Sequence, residues 1–269
     1  MNGPRARAAV GFAAMAVLAA AAAAQALLFA PGRLACPFGA DPVLPALTVC
    51  DRALGGLSLS IGVGLGAGLG GAIAAHALAV AARTARGPVD LLVSKSADLV
   101  FALPDVLVLL LIGFALTVLR DARGLRLDPV AAMLASLVAI GWAAPTRMIQ
   151  ERLRSLEREE FVVAAEAVGA SRWRIVTRHL LPFAWDYLLA IFLLRVPAAI
   201  LAESTVSFLG FGLPGDRASL GTYLGEATGA LMRGEWRIVL PAWALLLLVV
   251  LAFQWTGQAV LARARGRDR

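Results

Sequence analysis

Thirty consecutive residues, Ala53 to Ala82, contain no Asp, Glu, Lys or Arg. About 20 mostly apolar residues are enough for a helix to cross a bilayer, so this stretch reads as a transmembrane helix with length to spare. It carries Gly62, Gly64, Gly66, Gly68, Gly70 and Gly71. As a dinucleotide-binding loop the pattern is weak, because no strand precedes it and its surroundings are apolar throughout. On a helix the pattern has a meaning. Gly62, Gly66 and Gly70 lie four apart, as do Gly64 and Gly68, so two adjacent faces lack side chains and admit other helices closely. His76, near one end, reads as a packed histidine.

Further runs of this kind make the whole chain an integral membrane protein, with 60% hydrophobic residues, 16% charged and a mean hydropathy of +0.79. The net charge of +7 does not point to nucleic acid. The basic residues lie at the ends of apolar runs, with no aromatics interleaved for base stacking, as the positive-inside rule expects. Six spans are expected, at about 8–30, 53–82, 96–119, 129–146, 183–206 and 238–261, in one all-α bundle covering 1–269. The first, Ala8 to Ala30, has a cleaved signal peptide as its alternative, since Ala24-Gln25-Ala26 resembles a cleavage site. Outer loops then fall at 31–54 and 207–237, with a short amphipathic piece near Tyr223 to Met232. Both termini face the cytoplasm, and the inner segments hold sixteen of the 25 basic residues against eight outside. Cys36 and Cys50 share the first outer loop, where an oxidising compartment would pair them and where they could equally remain thiols.

Polar residues inside the spans are few. Pro104 should kink the third span, with Asp105 near mid-depth. The fifth carries Arg195 and Glu203 with Pro197 between them. A charge at that depth costs at least ~2.5 kcal/mol on insertion scales, so each should face the bundle interior or water. Asp105 and Arg195 fall at similar heights, and two readings stand: a structural ion pair, or a lining of the translocation path that includes Glu203.

The largest polar interruption is Arg147 to Pro182, with seven basic residues. Phe161, Ala164, Ala165 and Val168 fall at i, i+3, i+4 and i+7, one small apolar stripe on a short helix. Gly169 closes that helix and Ser171 can cap the next, whose stripe is Trp173, Val176, Thr177 and Leu180, with Pro182 as its stop. Such a helix pair must pack on a bilayer surface or on a partner protein. Surface binding would require large apolar anchors, and Phe161 is the only one on the first stripe, so docking to a protein is the better reading.

No GxxxxGK[ST], HExxH, GxSxG or Cys/His cluster at metal spacing occurs, and His76 and His179 are the only histidines. The chain is therefore expected to be no enzyme and to bind no cofactor or metal.

Four motifs in order carry a family resemblance over roughly Gly55 to Phe253. They are Gly141-Trp142 with Arg147 after it, LEREEF at Leu156 to Phe161, AAEAVGAS at Ala164 to Ser171 followed by RHLLP at Arg178 to Pro182, and AESTVSFLGFG at Ala202 to Gly212. In these the chain resembles the inner-membrane permease subunits of binding-protein-dependent ABC importers, in the dipeptide, oligopeptide and nickel branch. The resemblance implies a coupling helix between the fourth and fifth spans, with Glu160, Phe161, Ala164, Ala165, Glu166, Val168, Gly169 and Ala170 as ATPase-coupling residues. Val163 stands where the family has a loop glutamate. It also implies a second homologous permease, two ATP-binding subunits that hold ATP and magnesium, an extracytoplasmic substrate-binding protein and surrounding lipid, with no nucleic acid. Peptides are the substrate class that fits best. The alternative is a self-sufficient secondary transporter or channel, which would favour internal repeats; the sequence shows none.

Overall fold

The computed structural model describes residues 36–41, 47–123, 128–212 and 218–266. The expected first span and its signal-peptide alternative lie outside these. Among the described residues the chain is helical, with an isolated bridge between Ala40 and Thr48 and no strand.

The glycine-rich run forms α1, Val49–Ala85. Thr48 starts it with a capping box: its Oγ1 accepts from the Asp51 amide at 3.1 Å, and the Asp51 carboxylate accepts from the Thr48 amide at 3.1 Å. After a sharp turn at Arg86 and Gly87 come α2, Gly87–Ala102, and α3, Asp105–Arg123. These two meet at 86°, a sharp break where the sequence places a kink at Pro104. Leu103 is extended, with φ −88° and ψ 137°, as the residue before a proline is driven to be. Pro104 has no N–H to continue α2, and its carbonyl instead receives the Leu107 and Val108 amides at 2.9 and 3.2 Å, opening α3.

Asp128 caps α4, Pro129–Gly141, by accepting from the Ala131 amide at 3.0 Å. Across Trp142 the chain runs on as α5, Ala143–Leu156. The polar island therefore does not begin as a loop at Arg147: its first residues extend the preceding apolar helix.

Next come α6, Glu160–Ala167, α7, Arg172–Arg174, a π-helical segment π1, Ile175–Leu180, and α8, Leu181–Phe208. Pro182 does not stop this helix, contrary to the sequence reading. A proline within an α-helix lacks an amide donor and clashes with the carbonyl four residues back. The wider winding before it relieves that crowding, and the Leu181 amide reaches back five residues to the Val176 carbonyl. The chain closes with α9, Leu220–Glu226, α10, Thr228–Met232, and α11, Trp236–Gly266.

Among the described residues four helices are long and apolar enough to cross a membrane: Val49–Ala85, Pro129–Leu156, Ala184–Phe208 and Trp236–Ala264. The bent pair α2–α3 makes a fifth if taken together. The centre of the bundle is α8, which packs along α11 and α1. The glycine faces of α1 do what their spacing predicts. A Cβ at Gly64 or Gly68 would come within 2.4 Å of Ile200 or 2.9 Å of Val196 on α8; one at Gly66 or Gly70 would come within 2.9 Å of Leu134 or 2.6 Å of Val138 on α4. Gly62 meets nothing within 4 Å. Lipid tails are as apolar as leucine, so van der Waals contact of this kind holds spans together rather than water exclusion.

Candidate functional site

The interruption that the sequence singled out folds as a bracket against one end of α1. Helix α6 has a single fully enclosed side chain, Val162, which packs with Ile149, Leu153 and Leu156 of α5 and with Ile175, Val176 and Leu180 of π1. Phe161 and Ala165 pack partly against that core. The opposite face is open: Glu160, Ala164, Glu166 and Ala167 are exposed, Val163 is 60% exposed and Val168 is 85% exposed. The expected stripe is thus split, with Phe161 and Ala165 inward and Ala164 and Val168 outward. An eight-residue helix has too few turns for spacing alone to fix its buried face.

The end of α6 follows its sequence. Gly169 has φ +81°, a left-handed conformation that a residue without Cβ adopts cheaply. Its amide bonds to the Glu166 carbonyl, and the Ala170 amide to the Ala165 carbonyl, both at 3.0 Å, which is a Schellman motif. Ser171 precedes α7 without a side-chain capping bond. On the second helix Val176 and Leu180 are buried while Trp173 is 60% exposed, beside the open face of α6 in sequence.

Beneath the bracket lies a network of shared ion pairs. Arg83, in the last turn of α1, holds Glu157 with two bonds of 3.0 and 2.5 Å and Asp90 of α2 with one of 3.0 Å. Asp90 also accepts from Arg154 and Gln150 of α5, each at 3.2 Å. Arg172 of α7 bonds to Glu157, to Glu166 at 3.2 Å and to the Arg83 carbonyl at 3.2 Å. Arg86 stands 3.7 Å from Glu166. Burial first, then the nearby Arg86 and Arg83 guanidiniums, push the Arg172 pKa down, against the pull of Glu157 and Glu166.

The far end of α1 has a smaller and tighter cluster. Cys36 and Cys50 form a disulfide. Arg52 pairs with buried Asp41 at 3.1 Å and with Glu226 of α9, and its guanidinium lies 5.0 Å from the Tyr223 ring. The Tyr223 hydroxyl donates to the Ile238 carbonyl at 2.7 Å. Burial, and then the Asp41 charge, raise the pKa of that hydroxyl.

Residues 67–266 match the family described as binding-protein-dependent transport system inner membrane component. The chain belongs to this family. Among its relatives are the oligopeptide transport system permease protein OppC of Bacillus subtilis strain 168 and that of Mycobacterium tuberculosis H37Rv. The first is 30% identical over 58% of this chain and 48% of the relative, the second 38% over 43% and 40%. A putative peptide permease protein of Brucella ovis is 35% identical over 64% of this chain and 54% of the relative. The chain thus spans about half the length of the curated relatives it matches.

In this inner membrane component the remaining candidate residues divide. Asp105 is exposed at the start of α3, and it forms no ion pair with Arg195 of α8 within 4.0 Å among the described residues. The Arg195 guanidinium instead lies over the backbone of Gly141, where an added Cβ would stand 2.6 Å from it. Glu203 is not brought to them. It is fully buried and accepts from Ser207 at 2.6 Å, Ser204 at 3.3 Å and Ser60 of α1 at 3.4 Å. The Leu220 amide of α9 donates to that same Ser60 hydroxyl at 3.2 Å. Glu203 of the AESTVSF motif is thus tied to α1 through Ser60, and Ser60 in turn holds the start of α9. The sequence reading missed Val162, Glu157 and Arg83; the acidic LEREEF run was the one available signal, and its partner lies 74 residues away. His76 bonds to the Ala72 carbonyl of its own helix at 2.5 Å, a packed residue.

Proposed function

We propose that this chain is a membrane-spanning permease subunit of an ATP-driven importer, forming half of a translocation pathway for peptides or a similar small solute. The observation that carries the reading is the open face of α6. Val163, Ala164, Ala167 and Val168 offer a small, apolar, protruding helix face, closed by a tight Schellman turn and rooted by one buried valine. Small side chains permit close backbone approach, and a short helix moves as one body where a loop would yield. That is the form needed to seat in a groove of an ATP-binding subunit.

In this reading Glu160 to Gly169 is the coupling helix, on the cytoplasmic side, and Glu160, Phe161, Ala165, Glu166 and Ala170 shape or flank its contact. Val163 replaces the family's acidic contact with an apolar one, so the groove that receives it should be apolar at that point. The chain would have six spans, the first at Ala8 to Ala30, with both termini cytoplasmic. It would act with a second homologous permease, two ATP-binding subunits that bind ATP and magnesium, and an extracytoplasmic binding protein. Asp105 and Arg195 would line the path. The names of the relatives, oligopeptide and peptide permeases, favour peptide as the substrate class.

The test is reconstitution of the chain in vesicles with and without its companion permease and ATP-binding subunits, with labelled peptide presented by the binding protein. ATP-dependent uptake by the full complex only is expected. Uptake by the chain alone, driven by an ion gradient, would overturn the reading. A Val168→Asp variant should lose co-purification of the ATP-binding subunits by tenfold or more while the chain still inserts.

A further inference from the structure

Helix α6 packs through Val162 into an apolar core shared with α5, π1 and α8, which α1 also enters with Ala75 and Ala79. Its polar links to α1 are ionic. Glu166 on α6 accepts from Arg172, Arg172 donates to Glu157, and Glu157 accepts from Arg83 on α1. Glu157 follows α5 directly, and its two oxygens serve two other elements: α1 through the paired bonds of Arg83, and α7 through Arg172. The Glu157 side chain is 13% exposed and that of Arg83 is 10% exposed.

Stability alone does not account for such a cluster. Ions withdrawn from water recover little more than their desolvation cost, and well-packed apolar side chains would hold the same elements as firmly. Apolar contacts slide, however, whereas paired guanidinium–carboxylate bonds fix direction as well as distance. The helix so gripped, α1, runs 37 residues without a break, about 55 Å at ~1.5 Å per residue, and ends at the Arg52 cluster with α9. It also carries the glycine faces against which α4 and α8 lie.

Resting on the importer reading above, we propose that Glu157 is a positioning residue that ties the coupling helix to α1, so that displacement of α6 moves α1 together with α8. The bracket then has two outputs. The apolar one, through the core around Val162, presses on α8 and on the small side chains of α1; the ionic one, through Arg172, Glu157 and Arg83, grips α1 in direction as well as distance. With the first alone, small apolar contacts would let α8 slide along the glycine faces of α1 instead of carrying it.

The experiment uses the full reconstituted complex and measures basal ATP hydrolysis, its stimulation by loaded binding protein, and labelled peptide taken up per ATP. Glu157→Gln keeps the shape and removes the charge; Glu157→Asp keeps the charge. For Glu157→Gln, basal hydrolysis within twofold of wild type and a fall of at least fivefold in peptide per ATP are expected, with most of the loss restored in Glu157→Asp. Peptide per ATP unchanged in Glu157→Gln would overturn the proposal, as would hydrolysis and uptake falling in proportion, which marks a merely structural residue. Should Glu157→Gln fail to assemble, Arg172→Gln breaks the same link from the other side and must give the same uncoupling. Wild-type complex with no ATP-driven uptake at all would sink the importer reading, and this inference with it.

Discussion

The two ends of α1 are both held by arginine, and they are held differently. At the Arg52 end one guanidinium, its side chain 3% exposed, meets a fully enclosed Asp41, and a disulfide closes the segment around it. At the Arg83 end four arginines, Arg83, Arg86, Arg154 and Arg172, divide Glu157, Asp90 and Glu166 among them, and each of those carboxylates answers to two of them. The first arrangement has one geometry and a large cost for leaving it. In the second, a bond lost to one partner can be taken up by another, so the end can be pulled without coming apart.

Substitution can test that difference directly. Arg52→Met takes the Arg52 charge from beside buried Asp41, a loss of about 3–5 kcal/mol, seen as a lower unfolding temperature in detergent and earlier proteolysis near residue 41. A loss below ~1 kcal/mol would show that this end is not the locked one. Removing the disulfide, by reduction or by Cys36→Ser with Cys50→Ser, frees a loop with a sequence separation of 14 and should cost about 3 kcal/mol. Mass analysis after alkylation, with and without reductant, should show two more modified thiols in the reduced sample. At the other end Glu157→Gln should cost only about 1–2 kcal/mol in unfolding, because Asp90 still holds Arg83 and Glu166 still holds Arg172. Arg86→Ala, which removes a pair whose side chains are 56% and 49% exposed, should change stability by less than ~1 kcal/mol. Salt sharpens the contrast. Between 0.05 and 0.5 M the exposed pairs of the Arg83 end should weaken, while Arg52–Asp41, shielded from solvent, should not.

The sequence carried the parts of this architecture that depend on local spacing. Four-residue steps sorted the glycines of α1 into faces, and the structure seats α4 on one and α8 on the other. Gly169 could be read as a helix terminator because little else adopts positive φ at that point. What could not be read was long-range or depended on a choice between near-equal faces. Nothing near Arg83 announces Glu157, and the burial of Val162 over Val168 is decided by where π1 and α5 lie. Pro104 was legible as a disturbance, but whether it kinks a span or breaks it at 86° depends on what α3 packs against. Glu203 read as an intramembrane charge that should face the bundle interior or line a path; it is enclosed, and hydroxyls from two helices serve it.

The six residues of π1 have a consequence of phase. A turn wound wide holds one more residue than an α turn, and each residue of an α-helix advances the face by about 100°. Were all six residues of this segment wound as ordinary α-helix, the extra residue would swing α7 around the axis by roughly that angle, carrying Arg172 off the face it shares with Glu157. Deleting one residue at the same time would bring the face back. The segment behaves as a clock setting: it fixes at what hour of the helix the bracket faces α1, and the same chain wound evenly throughout would keep every side chain of the cluster and tell the wrong time.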